Sequence, residues 1–232
     1  MRWLAPLAFF LLAASAAPQE KVFLVTGFER VRVDGPFTVE IVRGPTHASA
    51  TGDARLLDRL DIHVDGTTLV VGAGAEGWNL ARGETTGSPR IVLTAPALRG
   101  LLVNGGGQVK VADMRGARVD VALSGSGSIQ VATLQSDDLN LTLTGTGTIA
   151  LGGTARRARV RSNGAGAIDG SKLQAGDATI VSETSGDLQI GVRYTTRIFA
   201  LGLGRVTILG TPQCTISGPG PVECKGQIIR TR

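Results

Sequence analysis

A pair of glycines separated by one residue recurs along this chain at an almost constant interval. Leu123-Ser124-Gly125-Ser126-Gly127-Ser128-Ile129-Gln130-Val131 matches Leu143-Thr144-Gly145-Thr146-Gly147-Thr148-Ile149-Ala150-Leu151 position by position, 20 residues later. Val103 to Val111 and Ser162 to Ile168 fit the same frame. The corner glycines are Gly105 and Gly107, Gly125 and Gly127, Gly145 and Gly147, Gly164 and Gly166, Gly186 alone, Gly202 and Gly204, and Gly218 and Gly220. Thr184 stands where the fifth pair would begin. The second glycines are spaced by 20, 20, 19, 20, 18 and 16 residues. Seven copies at such a period describe a stacked array, and a period near 20 describes a solenoid.

Between the glycines, apolar and polar residues alternate. Val119, Val121 and Leu123 alternate with Asp120 and Ala122, and Ile129 and Val131 flank Gln130. Period two means strands with one buried face. Equivalent residues recur in the same chain direction, so consecutive copies stack in parallel, one coil per repeat. The expected fold is an all-β, single-stranded parallel β-helix (β-solenoid) of about 20 residues per coil. Its inward columns run Val121, Leu141, Val160, Ile180 and Val131, Leu151, Gly170, Ile190. Each Gly-x-Gly should turn the chain from one face to the next, where a positive φ or close approach favours glycine.

Residues 28–100 are expected to hold the cap and first coils of the same domain, and 101–228 its regular repeats. Phe28 to Ile41 reads as a first, divergent coil with Gly35 at its corner. Ala54 to Leu60 reads as a helical turn, Asp61 to Val71 as a hairpin turning at Asp65-Gly66, and residues 72–89 as a loop. Arg90 to Thr94 is a strand. Ahead of them, Arg2, the apolar run Leu4 to Ala14 and the stretch Ala14-Ser15-Ala16 follow the pattern of a secretory signal peptide at 1–16, with 17–27 as a linker or first strand. The run is too short for a spanning helix. The mature chain is thus expected to be exported, to the periplasm or the cell surface.

Phe28-Glu29-Arg30-Val31-Arg32-Val33-Asp34-Gly35-Pro36-Phe37-Thr38-Val39-Glu40-Ile41 resembles the opening motif of the putative auto-transporter adhesin, head GIN domain family. Leu56-Leu57-Asp58-Arg59-Leu60 before the hairpin, Pro96-Ala97-Leu98-Arg99-Gly100 and the Ser-Gly-x-Gly repeats are similar to it as well. The resemblance runs from about Phe28 to Cys224. It implies a right-handed parallel β-helix in a bacterial envelope or exported protein, and it carries over no catalytic residue.

The chemistry legible in the residues is sparse. Gly72-Ala73-Gly74-Ala75-Glu76-Gly77 after a strand has the dinucleotide G-x-G-x-x-G spacing, but Gly83, Gly87 and Pro89 break the helix that motif needs. No nucleophile elbow occurs, and His47 and His63 lie far in sequence from most of the repeat serines. No cluster has metal-ligand spacing. No catalytic, cofactor or metal residue is therefore assigned, and no cofactor is expected.

Stacking supplies the one candidate ligand face. Asp120, Asn140 and Arg159 occupy equivalent outward positions on successive coils, with Arg161 beside them. Arg156, Arg157, Arg159 and Arg161 form a basic cluster, and 24 basic residues stand against 19 acidic. An anionic envelope glycan, a matrix or another envelope protein would suit such a surface. Nucleic acid would not, because no basic–aromatic face accompanies it. The only cysteines, Cys214 and Cys224, are expected to face inward, in the Val121 and Val131 columns, and are candidates for a disulfide. The reading is a non-enzymatic adhesin-like or envelope scaffold solenoid. The alternative is a polysaccharide-cleaving, lyase-like enzyme on the Asp120/Asn140/Arg159 face.

Overall fold

The computed structural model describes residues 19–74 and 88–230. Ahead of the repeats come β1 (Gln19–Phe23), β2 (Arg30–Asp34), β3 (Thr38–Arg43), β4 (His47–Gly52), helix α1 (Ala54–Asp58), β5 (Leu60–Asp65), β6 (Thr68–Ala73), β7 (Arg90–Ala95) and β8 (Gly100–Asn104). The repeats are β9 (Gln108–Gly125), β10 (Ser128–Gly145), β11 (Thr148–Gly164), β12 (Ala167–Thr184) and β13 (Leu188–Ala200). The last coils are shorter: β14 (Val206–Leu209), β15 (Gln213–Ser217), β16 (Val222–Cys224) and β17 (Ile228–Arg230). Neighbouring repeats pair in parallel, and together they form a β-solenoid of about 6 turns.

Each long strand is continuous yet encloses a core, because it bends twice. In β10 the buried residues are Ile129, Val131, Leu134, Ser136, Leu139, Leu141 and Leu143. Their spacing is two except at Ala132-Thr133 and Asp137-Asp138, where two consecutive residues face outward. An extra outward residue rotates the inward set onto a new wall, as a bulge does. A coil therefore has three faces: residues 128–132, 133–137 and 138–144, closed by the Gly-x-Gly corner. The columns Val121–Leu141–Val160–Ile180 and Val131–Leu151 are in register.

The two glycines of a corner serve different needs. Gly145 has a φ of 113°, a backbone that side chains rarely adopt. Gly147 has no such φ, but a methyl there would lie 2.5 Å from the Gly127 carbonyl oxygen of the preceding coil. The 19-residue interval is absorbed at the first bend, where Val131↔Leu151 is followed by Leu134↔Gly153. In β13, Val192 pairs with Ala175 and Thr195 with Asp177, so Arg193-Tyr194 stands opposite Gly176 alone and bulges outward.

The N-terminal region departs from simple chain order. β2 lies between β6 and β8, and β3 between β7 and β9. The first coil in sequence is thus not the outermost in space; the chain builds β6 and β7 outside it and then returns. Antiparallel strands finish this end: β5 on β6, β4 on β7 and β1 on β4. They cover edges that would otherwise offer unpaired backbone groups. The hairpin turns at Gly66-Thr67 rather than Asp65-Gly66, since Asp65 already pairs with Thr68 and Gly66 has a φ of 60°. Asp53 caps α1 by accepting from the Arg55 amide at 2.9 Å.

Candidate functional site

The third face carries the outward column expected to hold a ligand. Register places Asp120, Asn140, Arg159, Thr179 and Arg197 side by side on successive coils. Parallel stacking makes equivalent outward side chains neighbours at about 4.8 Å. Asn140 donates to Asp120 at 2.8 Å, and Arg118 donates to the same carboxylate oxygen at 3.0 Å. Arg30 approaches at 3.7 Å across Gly100, whose missing side chain leaves room for the arginine stem. Burial pushes the Asp120 carboxyl upward, but the hydrogen bonds from Asn140 and Arg118 and the charges of Arg118 and Arg30 outweigh it and hold the carboxyl below its usual range. Asp120 and Asn140 are therefore committed to an internal network. The side chains of Arg161 and Arg197 enter no ion pair or hydrogen bond among the described residues and remain available on this face.

The expected basic cluster is divided by the second bend. Arg118, Asp138, Arg157 and Asp177 stack in one column with alternating charge. Arg157 contacts Asp138 at 2.7 Å, and Arg156 reaches Asp137 at 3.4 Å. Hydrogen bonding with its partner is the largest influence on each member of the Arg157–Asp138 pair, raising the guanidinium and lowering the carboxyl. In-register stacking would set like charges face to face, which is unfavourable, so the alternation is a structural need. Arg157 belongs to this column at the start of the third face and Arg156 to the adjacent column on the second, while Arg159 and Arg161 lie further along the third face.

Sequence reasoning missed the most distinctive surface. Along the coil of β13 the outward residues are Arg197, Phe199, Leu201, Leu203 and Arg205. The equivalent positions one coil earlier are Thr179, Val181, Glu183, Ser185 and Asp187; two coils before that they are Asn140 and Thr142 to Thr148. Phe199, Leu201 and Leu203 are 43%, 56% and 87% exposed, and Leu203 occupies the apex of its Gly-x-Gly corner. Comparing copies column by column, rather than only their glycines, would have exposed this switch. Exposed apolar residues also occur singly elsewhere on the solenoid, as at Leu102, but these three adjoin along one coil.

Cys214 and Cys224 are bonded, with Cα atoms 6.7 Å apart. Cys224 follows Ile208 and Ile190 in the Val131 column. Cys214 pairs with Thr196 and so belongs to the Val119–Leu139 column, not the Val121 column. The last coil is two residues shorter at its Gly-x-Gly corner, where the offset of 18 at Phe199↔Ser217 becomes 16 at Val206↔Val222, so counting back from Gly220 sets Cys214 one inward step off. His63 is exposed, its Nδ1 3.1 Å from Asp61, and His47 is exposed. Residues 75–87 of the glycine-rich loop and the expected signal peptide at 1–16 lie outside the described residues. Among the described residues no helix is long and apolar enough to cross a membrane.

Similar proteins share this architecture. The profile of the putative auto-transporter adhesin, head GIN domain, matches residues 27–212. A crystal structure of a putative adhesin from Bacteroides fragilis is 19% identical, with a TM-score of 0.72 over 93% of this chain and 97% of that one. A putative adhesin from Parabacteroides merdae is 18% identical, with a TM-score of 0.63 over 93% and 96%. A putative lipid binding protein from Parabacteroides distasonis is 18% identical, with a TM-score of 0.55 over 93% and 97%. No curated protein matches.

Proposed function

The chain belongs to the putative auto-transporter adhesin, head GIN domain family, and on that premise we propose that it is an exported, non-enzymatic, adhesin-like solenoid of the bacterial envelope. Its adhesive surface is the outward stripe of the β13 coil, from Arg197 through Phe199, Leu201 and Leu203, extended on the third face by Arg161. The observation that carries this reading is that Leu201 and Leu203 replace Glu183 and Ser185 at equivalent outward positions and continue the apolar Val181–Phe199 pair. Arg161, Val181 and Phe199 are column neighbours, so cations border the apolar ridge. Such a surface suits an envelope target that offers both apolar groups and anionic groups, through area burial and charge together. The likeness to a putative lipid binding protein is in keeping with an apolar contact surface.

A polysaccharide-cleaving reading on Asp120, Asn140 and Arg159 finds less support. A carboxylate held below its usual range by two hydrogen bonds and two guanidinium groups is a weak proton acceptor. The adhesive reading is tested by pelleting the purified mature chain with intact Gram-negative cells and with vesicles made from their envelopes. The double variant Leu201→Ser/Leu203→Ser should lose association, and Asp120→Ala should retain it. Absence of association by the unaltered chain, or equal association by the double variant, would refute the assignment.

A further inference from the structure

A groove of about 890 Å³ runs along the second face, a surface distinct from the adhesive stripe. Its origin lies in the inward column Gly116, Ser136, Ala155 and Ala175, in register on four successive coils. Over the same coils the Ile129 and Leu141 columns hold only Val, Leu and Ile, whereas this column places little side-chain volume beneath the second face. One wall is the column Arg115, Gln135, Thr154 and Gln174. Each of these residues is exposed and each carries a hydrogen-bond donor. Four coils extend roughly 14 Å along the axis.

The C-terminal end of the groove is formed by the Arg193-Tyr194 bulge of β13. Tyr194 is 58% exposed, and the Arg193 guanidinium lies 5.4 Å from its ring centroid. Arg193 makes no ion pair among the described residues. Of the four arginines that line the groove, Arg115, Arg156 and Arg157 are ion-paired with Asp113, Asp137 and Asp138, which leaves Arg193 as its unpaired cation among the described residues. A repeating wall of amide, hydroxyl and guanidinium donors that ends in an unpaired arginine beside a single aromatic ring describes one kind of ligand. It is long, straight, rich in hydroxyl groups and acidic. A single-stranded nucleic acid would instead call for a series of aromatic platforms.

We infer that this groove binds a linear anionic polysaccharide, such as a uronic acid polymer, lying along the solenoid axis with a sugar ring packed on Tyr194 and a carboxylate at Arg193. Charge-assisted hydrogen bonds from guanidinium to carboxylate supply the specificity for acidic sugars. The site does not depend on the adhesive stripe and would operate without it.

The test is titration calorimetry of the mature chain with oligogalacturonates, with uncharged dextran oligomers and single-stranded DNA as comparison ligands. Oligogalacturonate should bind and dextran should not. Arg193→Ala and Gln135→Glu, both at exposed positions, should each weaken binding by about tenfold or more while the circular dichroism spectrum stays unchanged. Leu201→Ser/Leu203→Ser should leave this affinity intact, which separates the groove from the adhesive stripe. The inference is overturned if oligogalacturonate does not bind, if neither groove variant weakens it, or if DNA binds as tightly through the same residues.

Discussion

Replacing Gly147 by alanine tests why the corners need glycine at their second position. The backbone there has an ordinary φ, so alanine is tolerated locally. The difficulty comes from the neighbouring coil. The new methyl carbon would lie 2.5 Å from the Gly127 carbonyl oxygen and 2.7 Å from Leu123 Cδ2, about 0.9 Å inside ordinary contact with the oxygen. A leucine terminus can rotate away; a carbonyl in a hydrogen-bonded ladder cannot. Relief requires the coils to separate where the Gly147 amide donates to Gly125 O at 2.9 Å and the Thr148 amide to Gly127 O at 3.0 Å. Moving these apart by most of an ångström takes both beyond hydrogen-bonding distance. Two weakened bonds at about 1 kcal/mol each, with about 1–2 kcal/mol of overpacking, give a loss of roughly 3 kcal/mol. For a chain of this length that lowers Tm by about 6–12 °C. Thr146→Ala, at the exposed apex of the same corner, should change stability by less than about 0.5 kcal/mol. Thermal unfolding followed by circular dichroism measures both. A Gly147→Ala variant as stable as the unaltered chain would refute the close-approach argument.

Two further outcomes follow from other parts of the molecule. The Cys214–Cys224 bond closes a short loop, a sequence separation of 10, and contributes about 2.7 kcal/mol in the chain-entropy model. Because solenoid coils contact only their neighbours, Cys214→Ala/Cys224→Ala should speed amide exchange in β15–β17 and leave β9–β12 unchanged; equal protection at the C-terminal end would contradict this. Asp120 contributes on the acid side: its folded carboxyl lies below the ordinary value of 3.8 that it regains on unfolding. Its stabilisation is therefore complete above that ordinary value and is lost as pH falls through the folded value. Partial exposure limits it to well under about 1 kcal/mol. Denaturant unfolding at neutral pH and at about pH 3 should show a smaller acid loss in Asp120→Asn than in the unaltered chain, and identical losses would count against the network.

Much of the fold was legible because a solenoid repeats its local instructions. The Gly-x-Gly interval marked one corner of each coil, and alternation around it identified the inward residues. The second bend was also written in the sequence, as doubled outward residues such as Asp137-Asp138 and Arg156-Arg157. They escaped notice because a doubled polar residue is a faint signal beside a glycine pair. The candidate face was legible in part. Register set Asp120 beside Asn140, but Arg118 and Arg30 arrive from elsewhere on the third face, and Arg30 is 90 residues away in sequence. The apolar stripe was visible letter by letter in Phe199, Leu201 and Leu203. Its meaning depended on knowing which polar residues occupy the same columns.

By itself the sequence determined the stacked parallel coil, its interval, the inward columns and the use of glycine at the corners. These follow from periods of two and about 20, which local sterics and side-chain burial translate directly into strands and turns. The tertiary structure decided which coil lies outermost at the N-terminal end, where the shorter coils shed residues, and where a groove opens on the second face. Those features come from pairings between segments distant in sequence, and from differences between neighbouring coils that no single repeat contains.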